Sequence, residues 1–357
     1  MKILAMYLPQ FHEIQENNEW WGKGFTEWTN IKRDNKFCDG LKPLDDNYYN
    51  LLDKSTVEWQ TELARQHDIY GFCYYHYWFK GKKLLEKPAE NLLAWKDIDQ
   101  KYCFCWANHD WNRSWNGTRE VLQKQEYGEE KDWAEHFEYL KDFFMDDRYI
   151  KVDNKPLFVV FNPNYENKDG IIEFFDKKCK EIGFDGIHYV ESIHNADFLK
   201  YVSSKSSAII LREPSFALQK YQLNKSFFER AYDAVARRIN NILKWKCFIK
   251  KYNSKKIIRY SLEIAHQFEY DKPFYLGAYS MWDNTYRHNQ RGYKIQTPSE
   301  GSFIKYISEL KKIAENKNIE YLFFNAWNEW AEGMILEPDN QNEYMFLNAI
   351  KKVMEDK

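Results

Sequence analysis

Two glutamates near the end of the sequence, Glu329 and Glu332, have the type and spacing that most directly suggest chemistry. They follow an apolar run, residues 321–326, and stand beside Trp327 and Trp330. Carboxylates are seldom buried without a partner or a task. Two of them at the end of a strand, among aromatic rings, suit acid–base chemistry on a sugar. We take this pair as the candidate catalytic residues.

Polar and aromatic side chains next to the other apolar runs are the candidate substrate-binding residues. The chain is rich in rings, with 14 Trp, 26 Tyr and 25 Phe, and many of them neighbour polar residues. Such rings can fill a core, but this mixture also suits a cleft that stacks on sugar faces. The candidates are Tyr7, Gln10, His12, Glu27, Trp28, His76, Tyr77, Trp78, Trp106, Asn108, Trp111, Glu191, Trp282, Asp283, Asn328 and Trp330.

Several of these candidates have a structural interpretation as well. His76 is compatible with a hydrogen-bonded core histidine, Glu27 with a loop cap, and Glu191 and Asp283 with ion pairs at a rim. For the glutamate pair, the alternative is two exposed acids that the dipole favours at a helix start. The flanking tryptophans and the following glycine argue against that alternative.

Eight short apolar segments alternate with longer amphipathic ones, and this alternation predicts the elements that position the candidates. Strands that are apolar on both faces, separated by helices, favour a closed parallel sheet, and eight such units fit a (β/α)8 TIM barrel. A doubly wound sheet would need a glycine-rich turn after strand 1, where Pro9 and Gln10 stand instead. The predicted strands are residues 3–8, 69–77, 102–107, 157–161, 187–191, 208–211, 275–281 and 321–326.

The predicted helices lie between these strands, and one domain over residues 1–357 is expected. An insertion of about residues 214–271 follows strand 6. In a barrel, functional side chains project from the C-terminal ends of the strands, so we expect the candidates to meet there. The predicted helices are residues 56–67, 84–95, 133–145, 171–182, 196–202, 300–314 and 342–353.

The composition and the motifs indicate which classes of binding partner and which cellular location to expect. The net charge of −2 predicts no nucleic-acid partner. The N-terminal apolar run is too short for a signal peptide, and no stretch approaches the roughly 18 apolar residues of a membrane span. The six cysteines show no zinc-type pairing, and the pair Cys103 and Cys105 is interpreted as buried thiols in a cytoplasmic protein. With no metal-binding or phosphate-binding motif, no metal and no cofactor is expected.

A basic segment, residues 234–262, carries a second signal. It holds nine Lys or Arg residues and no acid, with apolar residues at helical spacing. A basic amphipathic helix can lie on an anionic membrane surface, which would suit peripheral contact with the inner membrane and a lipid-linked saccharide. The alternative is an ordinary barrel helix with a solvated face.

The motifs resemble a known family. Residues 328–333 (NEWAEG), followed by Glu337 and Pro338, resemble the NEWxEGxxxEP signature of glycoside hydrolase family 99, and are closer still to WbsX-type proteins of bacterial surface-polysaccharide gene clusters. Residues 7–12 (YLPQFH), 20–28 (WWGKGFTEW), 71–79 (GFCYYHYWF) and 106–108 (WAN) are similar to the WbsX-type pattern as well. The resemblance covers nearly the whole chain and implies a (β/α)8 barrel that binds an oligo- or polysaccharide.

The resemblance also implies a mechanism. Family 99 enzymes cleave α-mannosides with retention, using the sugar's own 2-hydroxyl as nucleophile. Glu329 would then deprotonate that hydroxyl, giving a 1,2-anhydro sugar, and Glu332 would protonate the leaving oxygen and later activate water. The hydrolases commonly carry His between the two acids, whereas this chain has Ala331.

Two other functions stay open at this point. WbsX-type proteins are usually described as glycosyltransferases of O-antigen or capsule (lipopolysaccharide) assembly. The acidic pairs Asp45-Asp46 and Asp146-Asp147 are not the DxD motif that often holds a nucleotide-sugar diphosphate, which favours hydrolase-like chemistry. A non-catalytic sugar-binding module would not need both acids.

Overall fold

Eight parallel strands close into a barrel in the computed structural model, which describes residues 1–33, 38–113, 120–242 and 249–356. Each strand pairs with its neighbours in chain order, and the first strand also pairs with the last. The predicted (β/α)8 barrel is confirmed. Its strands are β1 (Lys2–Tyr7), β2 (Ile69–Phe79), β3 (Tyr102–Trp106), β4 (Lys155–Val160), β5 (His188–Ile193), β6 (Ala208–Leu211), β7 (Phe274–Tyr279) and β8 (Tyr321–Asn325).

The barrel strands are apolar on both faces because one face fills the barrel and the other meets the helices. Every residue of β8 is buried, and so is every residue of β3. Closure between β1 and β8 places Ala5 opposite Phe324, and that between β1 and β2 places Tyr7 opposite Tyr74. These registers bring the C-terminal ends of the first, second and last strands to the same rim.

Helices surround the barrel, and the predicted helices are all present with bounds shifted by a few residues. The residue 196–202 segment is a 3-10 helix, Ala196–Tyr201. The long helices between the strands turn an apolar face inward; Glu300–Asn316, for example, buries Phe303, Ile307 and Leu310. The helices are Gln15–Trp21, Trp28–Ile31, Lys54–Gln66, Lys87–Ala94, Glu130–Met145, Lys168–Glu181, Ser215–Leu223, Phe227–Ile242, Ser254–Gln267, Thr285–His288, Glu300–Asn316 and Met345–Glu355.

The segment after β6 differs from the sequence interpretation. Helix Ser254–Gln267 packs against Ser215–Leu223 and Glu300–Asn316, so it is the barrel helix before β7. The basic segment is not one helix, because Lys250–Tyr252 forms a strand between two helices. Arg238, Lys255, Lys256 and Arg259 lie on helices, with Lys256 paired to Glu229. Of the other residues in that interpretation, Leu243, Lys244, Trp245, Lys246 and Phe248 lie outside the described residues.

Short strands and turns above the barrel form the rim of its C-terminal end. Asn328–Glu329 pairs with Met334–Ile335, and Trp282–Asp283 joins a small sheet with Tyr293–Ile295 and Lys250–Tyr252. Trp111–Arg113 pairs with Glu120–Gln123. Lys82–Leu84 extends the C-terminal end of β2, whereas Lys151–Val152 pairs with the first residues of β4 at the opposite end of the barrel. The additions at the C-terminal end hold the loops that carry the candidate site.

Two expectations about the chain as a whole can be compared with the fold. None of the helices in the described ranges is long and apolar enough to cross a membrane. Cys103 and Cys105 are buried free thiols, as are Cys73 and Cys179. Cys247 lies outside the described residues.

Candidate active site

A cavity of about 410 Å³ opens at the C-terminal end of the barrel. Its lining is contributed by the ends of nearly all strands, as expected for a barrel enzyme. Six of the sequence-predicted residues line it: Gln10, Tyr77, Trp111, Trp282, Glu329 and Glu332. The remaining lining residues are Leu8, Tyr75, Ala107, His109, Asp110, Asn112, Phe161, His194, Arg212, Glu213, Ser215, Arg287 and Met334.

A tight turn after β8 directs both candidate glutamates into this cavity. Glu329 belongs to the short strand Asn328–Glu329, and a 3-10 turn, Trp330–Glu332, brings Glu332 to the same side. Gly333 ends the turn with φ +57°, a conformation that L side chains rarely adopt. A Cβ there would lie 2.8 Å from the backbone nitrogen of Asp283, so the turn packs directly on the loop after β7.

Arg287, from the loop after β7, joins three carboxylates of the site. Its Nη1 donates to Glu332 Oε1 at 2.7 Å and its Nη2 to Glu27 Oε1 at 3.0 Å. Glu329 Oε2 lies 3.6 Å from the same Nη2, too far for a good hydrogen bond but close enough for strong attraction. One guanidinium therefore holds the two candidate catalytic acids in register.

Glu27 lies beneath the pair and does not line the cavity. It is fully buried, and its Oε1 accepts the backbone N–H of Ala331 at 3.0 Å. Burial raises its pKa, while Arg287 and the Ala331 N–H act in the opposite direction. Glu27 thus fixes the turn that carries the two acids, at the position between them.

Two cavity carboxyls have strongly perturbed pKa values. Burial raises the pKa of Glu329 to about 8; Arg287 lowers it, while the negative charges of Glu332 and Glu27 raise it further. Burial also raises the pKa of Glu213 to about 8, although it accepts the Ala217 N–H at 3.0 Å. Perturbed acids in a cleft are typical of acid–base sites.

A buried hydrogen-bond network behind the turn holds it against the barrel. Glu337 accepts Trp330 Nε1–H at 2.7 Å, the Tyr49 hydroxyl at 2.8 Å and Gln60 Nε2–H at 2.7 Å. The Tyr7 hydroxyl donates to Gln60 Oε1 at 2.6 Å, which links β1 to the same network. Trp330 and Tyr7 therefore support the site from outside the cavity.

Asn328 and Trp28 belong to the same supporting layer. Asn328 accepts the Leu8 N–H at 2.7 Å and donates to the Leu8 carbonyl at 3.0 Å, which ties the turn to the end of β1. Trp28 donates to the Tyr49 carbonyl and packs on Trp330, with ring centroids 5.4 Å apart.

Three aromatic candidates on β2 and β3 face the surrounding helices. His76 Nε2 lies 2.9 Å from His136 Nε2, and Trp78 stacks on the His136 ring. Trp106 packs edge-on against the same ring. Because side chains alternate along a strand, Tyr75 and Tyr77 point into the cavity while His76 and Trp78 point away. Burial lowers the pKa of His76 to about 3, so this imidazole is neutral.

The last four candidates do not line the cavity; Asn108 and His12 lie in loops, Glu191 belongs to β5, and Asp283 belongs to the short strand Trp282–Asp283. Asn108 bonds both backbone groups of Asn162, at 2.8 and 2.9 Å. Glu191 accepts the Ser203 N–H, and Asp283 pairs with Lys294 at 2.9 Å. His12 is buried, and burial lowers its pKa to about 4. Lys168 Nζ also lies 3.9 Å from Glu191 Oε1, so each of Glu191 and Asp283 has a lysine within ion-pair distance.

Arg212 and Arg287 are two of the thirteen lining residues that were not candidates from the sequence, and they are the two that carry a positive charge. Arg287 stands four residues after Asp283, with no motif around it. The signal that could have found it is electrostatic: three buried carboxylates converging on one site need a cation. Within the described ranges, no cluster of three or more His, Cys, Asp or Glu side chains could hold a metal ion.

Comparisons with known proteins agree with this fold. The family model described as "Glycosyltransferase WbsX" matches residues 3–350. Protein WxcX of Xanthomonas campestris pv. campestris is 28% identical over 99% of this chain and 49% of its own length, so the chain spans about half the length of the curated relatives it matches.

Solved structures with the same fold include two glycoside hydrolase types. A glycoside hydrolase-like protein has a TM-score of 0.61 at 12% identity, covering 100% of this chain and 94% of its own. The GH99 endo-alpha-mannosidase of Bacteroides thetaiotaomicron has a TM-score of 0.56 at 13% identity, covering 99% of this chain and 96% of its own. At these identities the likeness shows the barrel alone.

Proposed function

We propose a function from the premise that the chain belongs to the WbsX family. It is a glycoside hydrolase-like enzyme that cleaves an α-mannoside-like linkage with retention, within bacterial surface-polysaccharide metabolism. The observation that carries this proposal is the convergence of Glu329 and Glu332 on one guanidinium in the barrel cavity. Paired carboxylates in such a cleft are the common apparatus of glycosidic bond cleavage.

The proposed reaction has two steps through a 1,2-anhydro sugar. In the first, Glu329 takes the proton of the 2-hydroxyl, O2 attacks C1 from the face opposite the leaving group, and Glu332 protonates the leaving oxygen. In the second, Glu332 takes a proton from water, the water oxygen attacks C1 and opens the three-membered ring, and Glu329 returns its proton to O2. Two inversions at C1 give net retention.

The environment of Glu329 supports a base of unusual strength. An alcohol is difficult to deprotonate, and a carboxylate whose pKa is about 8 is a stronger base than an ordinary glutamate. The same pKa also suits a proton donor at neutral pH. The two assignments predict opposite pH limbs: with Glu329 as base, activity rises as pH increases through about 8, and with Glu329 as donor it falls.

The test uses α-mannosides with an aryl leaving group and their 2-deoxy analogues. Wild-type protein should release the aryl group and give a retained product by NMR, whereas the 2-deoxy substrate should stay intact because it lacks the nucleophile. Glu329→Gln and Glu332→Gln should each lower the rate by roughly 10²- to 10⁴-fold while sugar binding persists. Glu315→Gln, at an exposed helix position, is the matched control. Cleavage of the 2-deoxy substrate at the normal rate would reject the mechanism.

A glycosyltransferase is the second candidate, favoured by the description of the family. Water and an acceptor hydroxyl can compete for one sugar intermediate, so one site can serve both reactions. Incubation with a surface polysaccharide, with and without nucleotide sugars, separates them. Products formed without a nucleotide donor support hydrolysis, and strict dependence on the donor would replace our proposal with transfer. If Glu329→Gln and Glu332→Gln both keep the turnover of wild-type protein, neither hydrolysis nor transfer uses this pair of glutamates.

Peripheral membrane contact is also part of the proposal, and exposed apolar side chains support it. Phe227 and Phe228 are 80% and 82% exposed, and Leu223 is 69% exposed. Lys225 and Arg230 lie among them in sequence, so the patch combines apolar and cationic groups that suit an anionic lipid surface. Such a contact would present a lipid-linked saccharide to the cavity.

Vesicle sedimentation tests the contact. The protein should sediment with vesicles of anionic phospholipid at low salt and much less with neutral vesicles. Phe227→Asp with Phe228→Asp should abolish binding, and Met145→Asp, at an exposed apolar residue elsewhere, should not change it. Equal binding by the double variant and wild-type protein would reject this surface.

A further inference from the structure

Arg212 places a second cation on the floor of the cavity. It follows β6 directly, and its Nη2 reaches across the barrel to donate to the Tyr75 hydroxyl at 2.8 Å. Its guanidinium lies 4.1 Å from the centroid of the Phe161 ring. The side chain is thus held by an aromatic wall and one hydroxyl, and it stays partly open to the cavity.

The two cavity arginines differ in their partners. Arg287 contacts three carboxylates, whereas no carboxylate oxygen of the described chain lies within ion-pair distance of Arg212. Glu329 is near enough for the two charges to influence each other, but it is largely protonated at neutral pH, since its pKa is about 8. A partly buried guanidinium without a counter-ion is costly, so a ligand anion is the natural partner.

Among the described residues, the histidines beside Arg212 add no second cation to this part of the cavity. His194 Nε2–H donates to the Phe161 carbonyl at 3.1 Å, and His109 Nδ1–H donates to the Asp110 carbonyl at 3.0 Å. Burial lowers the pKa of both rings, that of His194 to about 3, and Arg212 acts in the same direction. Both are therefore neutral and offer no further positive charge.

We propose that the cavity binds an acidic sugar, with a single carboxylate of that sugar on Arg212. The inference rests on the proposed function, because it names the substrate class of the same site. A guanidinium matches a carboxylate with two parallel hydrogen bonds. A diphosphate would need more cations than the described residues supply beside Arg212, and it would face the carboxylates of Asp110 and Glu332.

The experiment compares four ligands that differ at one position: methyl α-mannoside, the corresponding uronic acid, the methyl ester of that uronic acid, and the 6-phosphate. Binding is measured by ligand-observed NMR titration, which does not depend on turnover. Wild-type protein should bind the uronic acid about 10- to 100-fold more tightly than the neutral sugar or the ester. The preference should weaken as salt concentration rises.

Two variants locate the preference at Arg212. Arg212→Gln should reduce uronic-acid binding to that of the neutral sugar and leave neutral-sugar binding unchanged, and Arg212→Lys should retain part of the preference. Arg259→Gln, at an exposed arginine outside the cavity, is the control. Thermal unfolding of each variant shows that it is folded.

Three outcomes would overturn the inference. If the uronic acid and its ester bind with equal affinity, or if the preference survives in Arg212→Gln, Arg212 does not bind the carboxylate. Tighter binding of the 6-phosphate than of the uronic acid assigns the cation to a phosphate. Equal loss of all ligands in Arg212→Gln makes the arginine structural. Each result is independent of cleavage, so a failure of the proposed reaction would be seen separately, in the aryl-release assay.

Discussion

Replacing Arg287 by Gln tests whether its guanidinium sets the protonation state of the site. Coulomb's law with an effective dielectric constant of about 20 gives about 4.6 kcal/mol of attraction for unit charges at the observed 3.6 Å between Arg287 and Glu329. An adjacent cation typically lowers the pKa of a carboxyl by about 1–3 units, which corresponds to less energy than the attraction just given. Loss of the cation should therefore move the pKa of Glu329 from about 8 to about 9–11.

The measurement is a pH titration of ¹³C-labelled glutamate side chains by NMR, with the Glu329 signal assigned through Glu329→Gln. If Glu329 is the base, each unit of the shift lowers its ionised fraction at neutral pH about tenfold, so activity should fall about 10- to 1000-fold. Arg287→Lys keeps the charge and should shift the midpoint far less. A Glu329 midpoint that stays at about 8 in Arg287→Gln, with the protein folded, would refute this electrostatic account.

Further predictions concern the turn, the network behind it and the buried histidines. Gly333→Ala should lower the free energy of unfolding in urea titrations by at least ~1–2 kcal/mol, because φ of Gly333 is +57° and the backbone of Asp283 lies close to it. Gly301→Ala, at a helical position with open space around it, should be neutral or mildly stabilising. Equal effects of the two substitutions would contradict this account of the turn. Glu337→Gln should cost about 1–3 kcal/mol at pH 5, since an amide cannot accept all three hydrogen bonds. The folded-state pKa of Glu337 is raised from 4.5 to about 7, so the stability of wild-type protein falls as pH rises across that window. The difference in stability between Glu337→Gln and wild-type protein should therefore shrink by pH 8. A difference that grows with pH would contradict the raised pKa of Glu337. His76 and His136 have lowered folded-state pKa values, so their contribution to stability is present above pH 6.5 and is lost as pH falls. His136→Phe should reduce the loss of unfolding free energy below pH 6.5 by about 1.4 kcal/mol per pH unit. If the unfolding free energy of this variant changes with pH as steeply as that of wild-type protein, the two histidines do not titrate as described.

The barrel and the position of the Glu329/Glu332 pair could be predicted because their signals are local. Apolar runs between helices mark the strands, and β6 has the bounds that the sequence predicts, residues 208–211. Glu329 and Glu332 stand directly after such a run, so the fold alone places them at the rim.

The orientation of β2 was not predictable from its sequence. Residues 72–78 are all apolar, aromatic or His, so no alternation distinguishes the face that meets the cavity from the face that meets the helices. The structure turns Tyr75 and Tyr77 inward and His76 and Trp78 outward. A shift of one residue would have exchanged the two sets.

The arginines were missed for a different reason. Arg212 and Arg287 act on residues far away in the sequence: Arg287 pairs with Glu27 across 260 positions, and Arg212 reaches Tyr75 across 137. Neither stands in a pattern with local periodicity. Their importance becomes visible only when the strand ends are brought together and the charges are counted.

The closure of the barrel has a consequence for how the molecule is made. The Leu8–Asn328 bonds span 320 positions and the Glu27–Ala331 bond spans 304, so the acids meet their supports only after residues up to Ala331 have left the ribosome. Until β8 arrives, one edge of β1 has no partner strand, and exposed apolar edges invite aggregation. Contacts of such long range also slow folding, because the loop must close before they form. The nascent protein therefore acquires its fold and its chemistry in the same late event.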